Sequence, residues 1–148
     1  MRLQIATPDQ SALVAKFVAA LLTELTGGEG VEPSDLEPVA KSLLAREDVV
    51  GIFAFDGDDP VGLIMLNQCA AIYAGGLFGE ITELYVVPGM RSIGVAAQLV
   101  DAAAAQAQSR GWKRLEVGAP DQPAWKRTVD FYQKNGFAEV GPRLRRLV

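Results

Sequence analysis

One stretch constrains this chain more than any other: "EITELYVVPGMRSIGVAAQLVDAAAAQAQSRG", residues 80–111. It opens with β-branched and aromatic residues, crosses a short loop holding Pro88, Arg91 and Gly94, and continues as an alanine-rich run. β-Branched residues favour strands and alanine is the strongest helix former, so the order is strand, loop, helix. Arg110 and Gly111 close the helix, a cation at the negative end of the dipole followed by a residue suited to a left-handed cap. The free N–H groups of the helix start therefore sit at the end of a strand.

The remaining punctuation fixes the other elements. "TPDQ" reads as a helix start, with Thr7 as cap, Pro8 at the first position and Gln10 three residues after the cap. Leu13, Val14, Phe17, Val18, Leu21, Leu22 and Leu25 follow at helical spacing until "GGEG" breaks the pattern. A second helix is expected from Ser34 to Arg46 with Leu36, Val39, Leu43 and Leu44 inward. "VVGIFAF" and "VGLIMLNQCAAIYA" form an antiparallel pair about the solvated turn Asp56–Asp59, which lacks the alternating spacing of a calcium loop. "GGLFG" reads as a loop before the strand "EITELYVVP". A strand "RLEVGA", a helix "PAWKRTVDFYQKNG" and a last strand from "FAEVG" to "RLRRLV" complete the chain, with a short first strand at "RLQIAT". Strands and helices do not alternate strictly. The expected class is α+β, a mixed α/β single domain over residues 1–148 without internal repeats.

Composition narrows the function. The net charge of −4 argues against a nucleic-acid surface. There is no histidine, which excludes Ser-His and Cys-His nucleophiles and histidine-ligated metals. The single cysteine, Cys69, forms no internal disulfide and no cysteine zinc site, in keeping with a reducing, cytoplasmic setting. The apolar run "SALVAKFVAALLTELT" is interrupted by Lys16 and Glu24, so neither a membrane span nor a signal peptide is expected.

The loop after Val87 suits an anion. Arg91 adds charge, Ser92 a hydroxyl, and Gly94 close approach of the backbone, while small Ala96 and Ala97 keep the helix end clear. It is neither a Walker loop nor the dinucleotide fingerprint.

"VVPGMRSIGVA" resembles the R/Q-x-x-G-x-G/A acyl-CoA signature of the GNAT superfamily of N-acyltransferases, matched at Arg91, Gly94 and Ala96. Ala96 stands where glycine is commoner. "ELYVVP" resembles the family's fourth strand and "FYQKNGF" its closing segment, Phe131 to Phe137. The resemblance implies a central, mostly antiparallel sheet flanked by helices and splayed between the fourth and fifth strands. It implies that amides of Arg91, Ser92, Ile93, Gly94, Val95 and Ala96 hold the coenzyme A pyrophosphate. Leu84, Tyr85 and Val86 would pair with the pantetheine arm as an added strand. Tyr132 would protonate the departing thiolate. Trp125 stands where many relatives have an asparagine that contacts pantetheine, which puts that contact in doubt.

Amine acetylation also needs a proton acceptor, because an alkylammonium has a pKa of about 10. With no histidine, carboxylates are the available bases. Glu83 is the first candidate and Glu80 the second, with a water relay as a third route. Strand alternation places Glu83, Tyr85 and Val87 on one face and Thr82, Leu84 and Val86 on the other. The resemblance implies that the Val86 N–H is the oxyanion donor. Cys69, mid-strand and without a base, is a poor nucleophile. Trp112, just after the glycine cap, is expected to be structural.

The expected activity is acetyl transfer from acetyl-CoA directly to a primary amine of a small molecule or peptide, with no metal. A different acyl-CoA donor is one alternative, and a non-catalytic acyl-CoA-binding sensor is another. The acceptor would bind opposite the coenzyme, near Glu24, Glu29, Glu32 or Glu47. A homodimer through "GLIMLNQCAAIYAGG" or the terminal strand is possible.

Overall fold

A computed structural model describes residues 1–118, 125–141 and 143–148. Five strands form one sheet in sequence order: β1 (Arg2–Ile5), β2 (Val49–Asp56), β3 (Asp59–Ala71), β4 (Gly76–Val86) and β5 (Leu115–Val117). The first three pairings are antiparallel and β4–β5 is parallel. Hairpins join β2 to β3 and β3 to β4. A parallel pair needs a crossover, which α3 (Val95–Arg110) supplies. Before β2 come α1 (Ser11–Leu25) and α2 (Pro33–Leu44), and after β5 comes α4 (Lys126–Lys134).

The sheet is covered on both faces, which is why β2 and β3 read as unbroken apolar runs. On one face Ile52, Ile64 and Leu66 of the sheet pack with Leu99 and Ala103 of α3, Trp112 and Tyr132 of α4. On the other, Phe53, Leu63, Met65 and Tyr85 pack with Phe17 of α1. The Thr7 cap works as expected, its N–H donating to Gln10 Oε1 at 3.0 Å, although Pro8–Gln10 form a 3₁₀ turn ahead of α1. The Asp56–Asp59 segment is the tight turn of the β2–β3 hairpin, with Asp56 opposite Asp59. Gly111 caps α3 in the left-handed region, and Trp112 N–H reaches back to Ala107 O at 2.8 Å. Among the described residues no helix is long and apolar enough to cross a membrane.

Four expectations need correction. α2 packs mainly on α1 and little on the sheet, so it buries a narrow stripe: Leu44 is buried and Leu36 half-buried, but Val39 and Leu43 are exposed. "GGLFG" is not a loop, because Gly76–Gly79 pair with Gln68–Ala71 as the first part of β4. "RLEVGA" shortens to the three residues of β5, and the expected helix start at Pro123 lies outside the described residues. No strand follows α4 among residues 137–141 and 143–148. There Val140, Leu144 and Leu147 are exposed, so the alternation has no covered face to fill.

The sheet opens between β4 and β5, as the family resemblance implies. Among the described residues β5 pairs with β4 only at Gly79, Glu80 and Ile81, which leaves a gap between the two strands beyond that point. At that point β4 carries a bulge: Leu66 of β3 faces Ile81, Met65 faces Glu83, and Thr82 is the extra residue. The bulge reverses the alternation. Ile81 and Val86 both belong to the α3 face although their numbers differ in parity, and Tyr85 belongs to the α1 face.

Candidate active site

Beyond Ile81 one edge of β4 has no partner strand among the described residues. Val87 N–H donates to Val61 O at 2.9 Å, so residues two and four earlier, Tyr85 and Glu83, also turn their main chain toward β3. Leu84 and Val86 therefore direct theirs toward the open edge. Of those groups, the Val86 carbonyl accepts from Arg91 Nε at 2.8 Å.

A 3₁₀ turn, Pro88–Met90, leads from the strand to the loop, and Arg91 N–H is bonded to Pro88 O at 3.3 Å. The next six N–H groups, Ser92 to Ala97, have no hydrogen-bond partner among the described residues. The series ends at Gln98, whose N–H returns to Gly94 O at 3.1 Å. Two residues of the loop have positive φ, Ser92 at 65° and Gly94 at 92°. Left-handed residues interleaved in such a loop turn successive N–H groups to one concave side, which favours an anion. No acidic residue stands in the first turn of α3 to compete. A run of free main-chain donors at a helix start, with left-handed residues interleaved, is a donor set of the kind that takes an anion such as a diphosphate.

The Arg91 side chain points elsewhere. Besides Val86 O it pairs through Nη2 with Glu24 Oε1 at 2.7 Å, and its guanidinium lies 5.5 Å from the Tyr85 ring centre.

Glu83 lies across from Met65 and so faces the α1 side of the sheet, next to the bulge. Burial pushes its carboxyl above the usual carboxylate range, a nearby Glu80 adds to this, and a hydrogen bond from Thr82 Oγ1 at 2.5 Å opposes it. Glu80 itself is ion-paired with Arg143. Tyr132 arrives from the other face. It is 8% exposed, edge-on to Phe131 and Phe137 with ring centres 5.4 Å away in each case. Its hydroxyl makes no hydrogen bond among the described residues, and burial pushes its pKa up to about 12. Glu83 thus lies on the α1 face of the sheet and Tyr132 on the α3 face.

The profile of the acetyltransferase (GNAT) family matches residues 16–137. This chain belongs to the GNAT acetyltransferase family. An inferred acetyltransferase from Arthrobacter sp. FB24 is 28% identical, with a TM-score of 0.82 over 100% of this chain and 96% of that one. An inferred acetyltransferase from Clostridium acetobutylicum, solved with acetyl-CoA, is 17% identical with a TM-score of 0.82, covering 99% and 95%. An aminoglycoside acetyltransferase from an uncultured soil metagenomic sample is 18% identical with a TM-score of 0.77, covering 100% and 99%. No curated protein matches the chain.

In this GNAT chain the other singled-out residues have the following surroundings. Trp112 is structural, packed over Gly79 with Nε1 donating to Gln68 Oε1 at 2.9 Å. Trp125 is half-buried at the start of α4. Burial, followed by Glu80 and Glu116, raises the Cys69 pKa, which disfavours a thiolate. Glu29, Glu32 and Glu47 are exposed. A groove of about 510 Å³ runs beside Phe17, Tyr85, Val87 and Met90 on the α1 side. No group of His, Cys, Asp and Glu among the described residues could hold a metal ion. Thr82 and Glu24 were not singled out for their contacts. Glu24 had one signal available, a carboxylate in the last turn of a helix, where the dipole disfavours it.

Proposed function

We propose that this chain is an N-acetyltransferase that moves an acetyl group from acetyl-CoA directly to a primary amine. The observation that carries this is the run of six N–H groups, Ser92 to Ala97, without partners among the described residues, at the end of a strand whose edge opens at Thr82 among those same residues. A diphosphate on those donors continues naturally into an amide-bearing arm along Leu84 and Val86. In this reading the amides from Ser92 to Ala96 hold the pyrophosphate, Arg91 shapes the loop, and Tyr85 supplies the apolar backing beneath the arm.

Chemistry takes place in the gap. The ammonium of the acceptor loses a proton to Glu83, and the neutral nitrogen attacks the thioester carbonyl. The Val86 N–H receives the charge that develops on oxygen. When the carbon–sulfur bond breaks, Tyr132 gives its proton to the thiolate, and the proton still in excess on the acetylated nitrogen passes to the tyrosinate, leaving a neutral amide, a free thiol and protonated Glu83. The raised pKa of Glu83 brings it nearer the working pH of a general base, as catalytic carboxylates require. A phenol at about 12 gives its proton uphill to a thiolate of ordinary basicity, about 8.5, so the transfer depends on desolvation of the sulfur in the same gap. Acceptor amines of related proteins include an aminoglycoside. Here the class is left at primary amines approaching from the Glu83 face.

Calorimetry with acetyl-CoA and a thiol-release assay over a panel of amines test the proposal together. Binding with turnover supports it. Binding without turnover on any amine leaves a coenzyme-binding module, and no binding at millimolar acetyl-CoA overturns it.

A further inference from the structure

The guanidinium of Arg91 is the charge nearest the proposed diphosphate loop in sequence, yet its hydrogen bonds run back toward β4 and α1. Nε holds the Val86 carbonyl at 2.8 Å, and Nη2 holds Glu24 of α1 at 2.7 Å. Its charge is thereby matched by a carboxylate of the chain itself, and the ring of Tyr85 lies beside it. The pair is partly exposed, with side chains 42% and 33% accessible, and such pairs contribute little to stability. The arrangement calls for a different reason.

Val86 supplies that reason. The peptide after it is tied at both ends, its N–H (Val87) to Val61 O and its carbonyl to Arg91. With that plane fixed, the preceding N–H of Val86 is held outward at the open edge. A free carbonyl at the same place would also compete for the amide of an incoming arm, and Arg91 removes that option. Glu24 in turn holds the guanidinium in the one orientation that serves both partners.

We propose that Arg91 and Glu24 are positioning residues: together they aim the Val86 N–H at the reacting carbonyl, and the Arg91 side chain does not hold the diphosphate. The inference rests on the acetyl-transfer reading above and refines it. It predicts a loss in turnover without a loss in anion binding, because main-chain N–H groups do the binding.

The test uses Arg91→Lys and Glu24→Gln. Lysine offers a point charge and cannot serve Val86 and Glu24 in one fork. In both variants kcat should fall about tenfold, while the affinities for acetyl-CoA and for ADP, which carries the diphosphate without the pantetheine arm, stay within about threefold of the parent chain. Lost kcat with retained ADP binding is a split that a purely structural contact does not produce. If Arg91→Lys weakens ADP binding about tenfold, the side chain is a diphosphate contact and the proposal is wrong. If both variants keep kcat within about twofold, it is wrong as well. Should Arg91→Lys fail to fold, Glu24→Gln decides alone, since it leaves the arginine in place. Binding of acetyl-CoA by the parent chain is measured first, so that failure of the acetyl-transfer reading registers separately.

Discussion

The indole of Trp112 occupies the space above Gly79 where any other residue would place its Cβ: the atom would lie 2.3 Å from the ring. The ring cannot swing away cheaply, since Nε1 is bonded to Gln68 and Trp112 is 6% exposed. Gly79→Ala should therefore destabilise the fold by about 1–3 kcal/mol, the usual cost of overpacking a filled core. Urea denaturation with an unchanged slope checks it. A midpoint equal to that of the parent chain would show that the ring moves freely.

Glu83→Gln should separate stability from activity. The folded-state pKa of Glu83 is raised, so the carboxyl favours the folded state while protonated and loses that contribution as pH rises through its folded pKa. Above that point the ionised group is a burden that glutamine lacks. The variant should be as stable as the parent in acid and gain relative to it toward neutral pH, while kcat falls about tenfold or more. In the parent, kcat/KM should drop as acid protonates Glu83, starting at a higher pH than an ordinary glutamate would give. Thermal melts and rate profiles across pH test both parts.

Tyr132→Phe removes a hydroxyl without a described partner, so the fold should tolerate it. Turnover should fall about tenfold or more with little change in acetyl-CoA affinity. Since the phenol titrates only near 12, the parent should keep its rate through about pH 10, where an ordinary tyrosine is half ionised. Unchanged turnover in the variant removes the acid role.

The two left-handed residues of the loop should answer oppositely to substitution. Gly94→Ala forces a Cβ onto φ of 92°, and although nothing crowds the site, the backbone should relax and acetyl-CoA affinity drop about tenfold. Ser92→Gly relieves a residue already at 65° and should leave affinity near that of the parent. Calorimetry on the pair distinguishes loop conformation from side-chain contact.

Much of this was legible in the sequence, and the failures have physical causes. The 80–111 segment could be read because propensity, capping glycine and hydrophobic spacing agree there. Gly79 misled because a glycine needed for close packing looks like one needed for a turn. α2 misled because its spacing shows that a face is apolar without showing how much of it a neighbouring helix can cover. The last strand misled because alternation states what a segment could bury and not whether a partner is present. At the site, loop and strand were readable from local pattern. The Glu24–Arg91 contact spans 67 positions and leaves no local trace beyond one awkwardly charged helix end.

The extra residue at Thr82 gives β4 two reading frames. Ahead of it, odd-numbered Ile81 looks toward α3; behind it, odd-numbered Tyr85 looks toward α1. Excising that single residue would restore one frame along the whole strand and exchange the surroundings of everything on one side of it, sending a carboxylate into oil or a valine into water. The chain can thus change almost any side chain along this strand more safely than it can change its count.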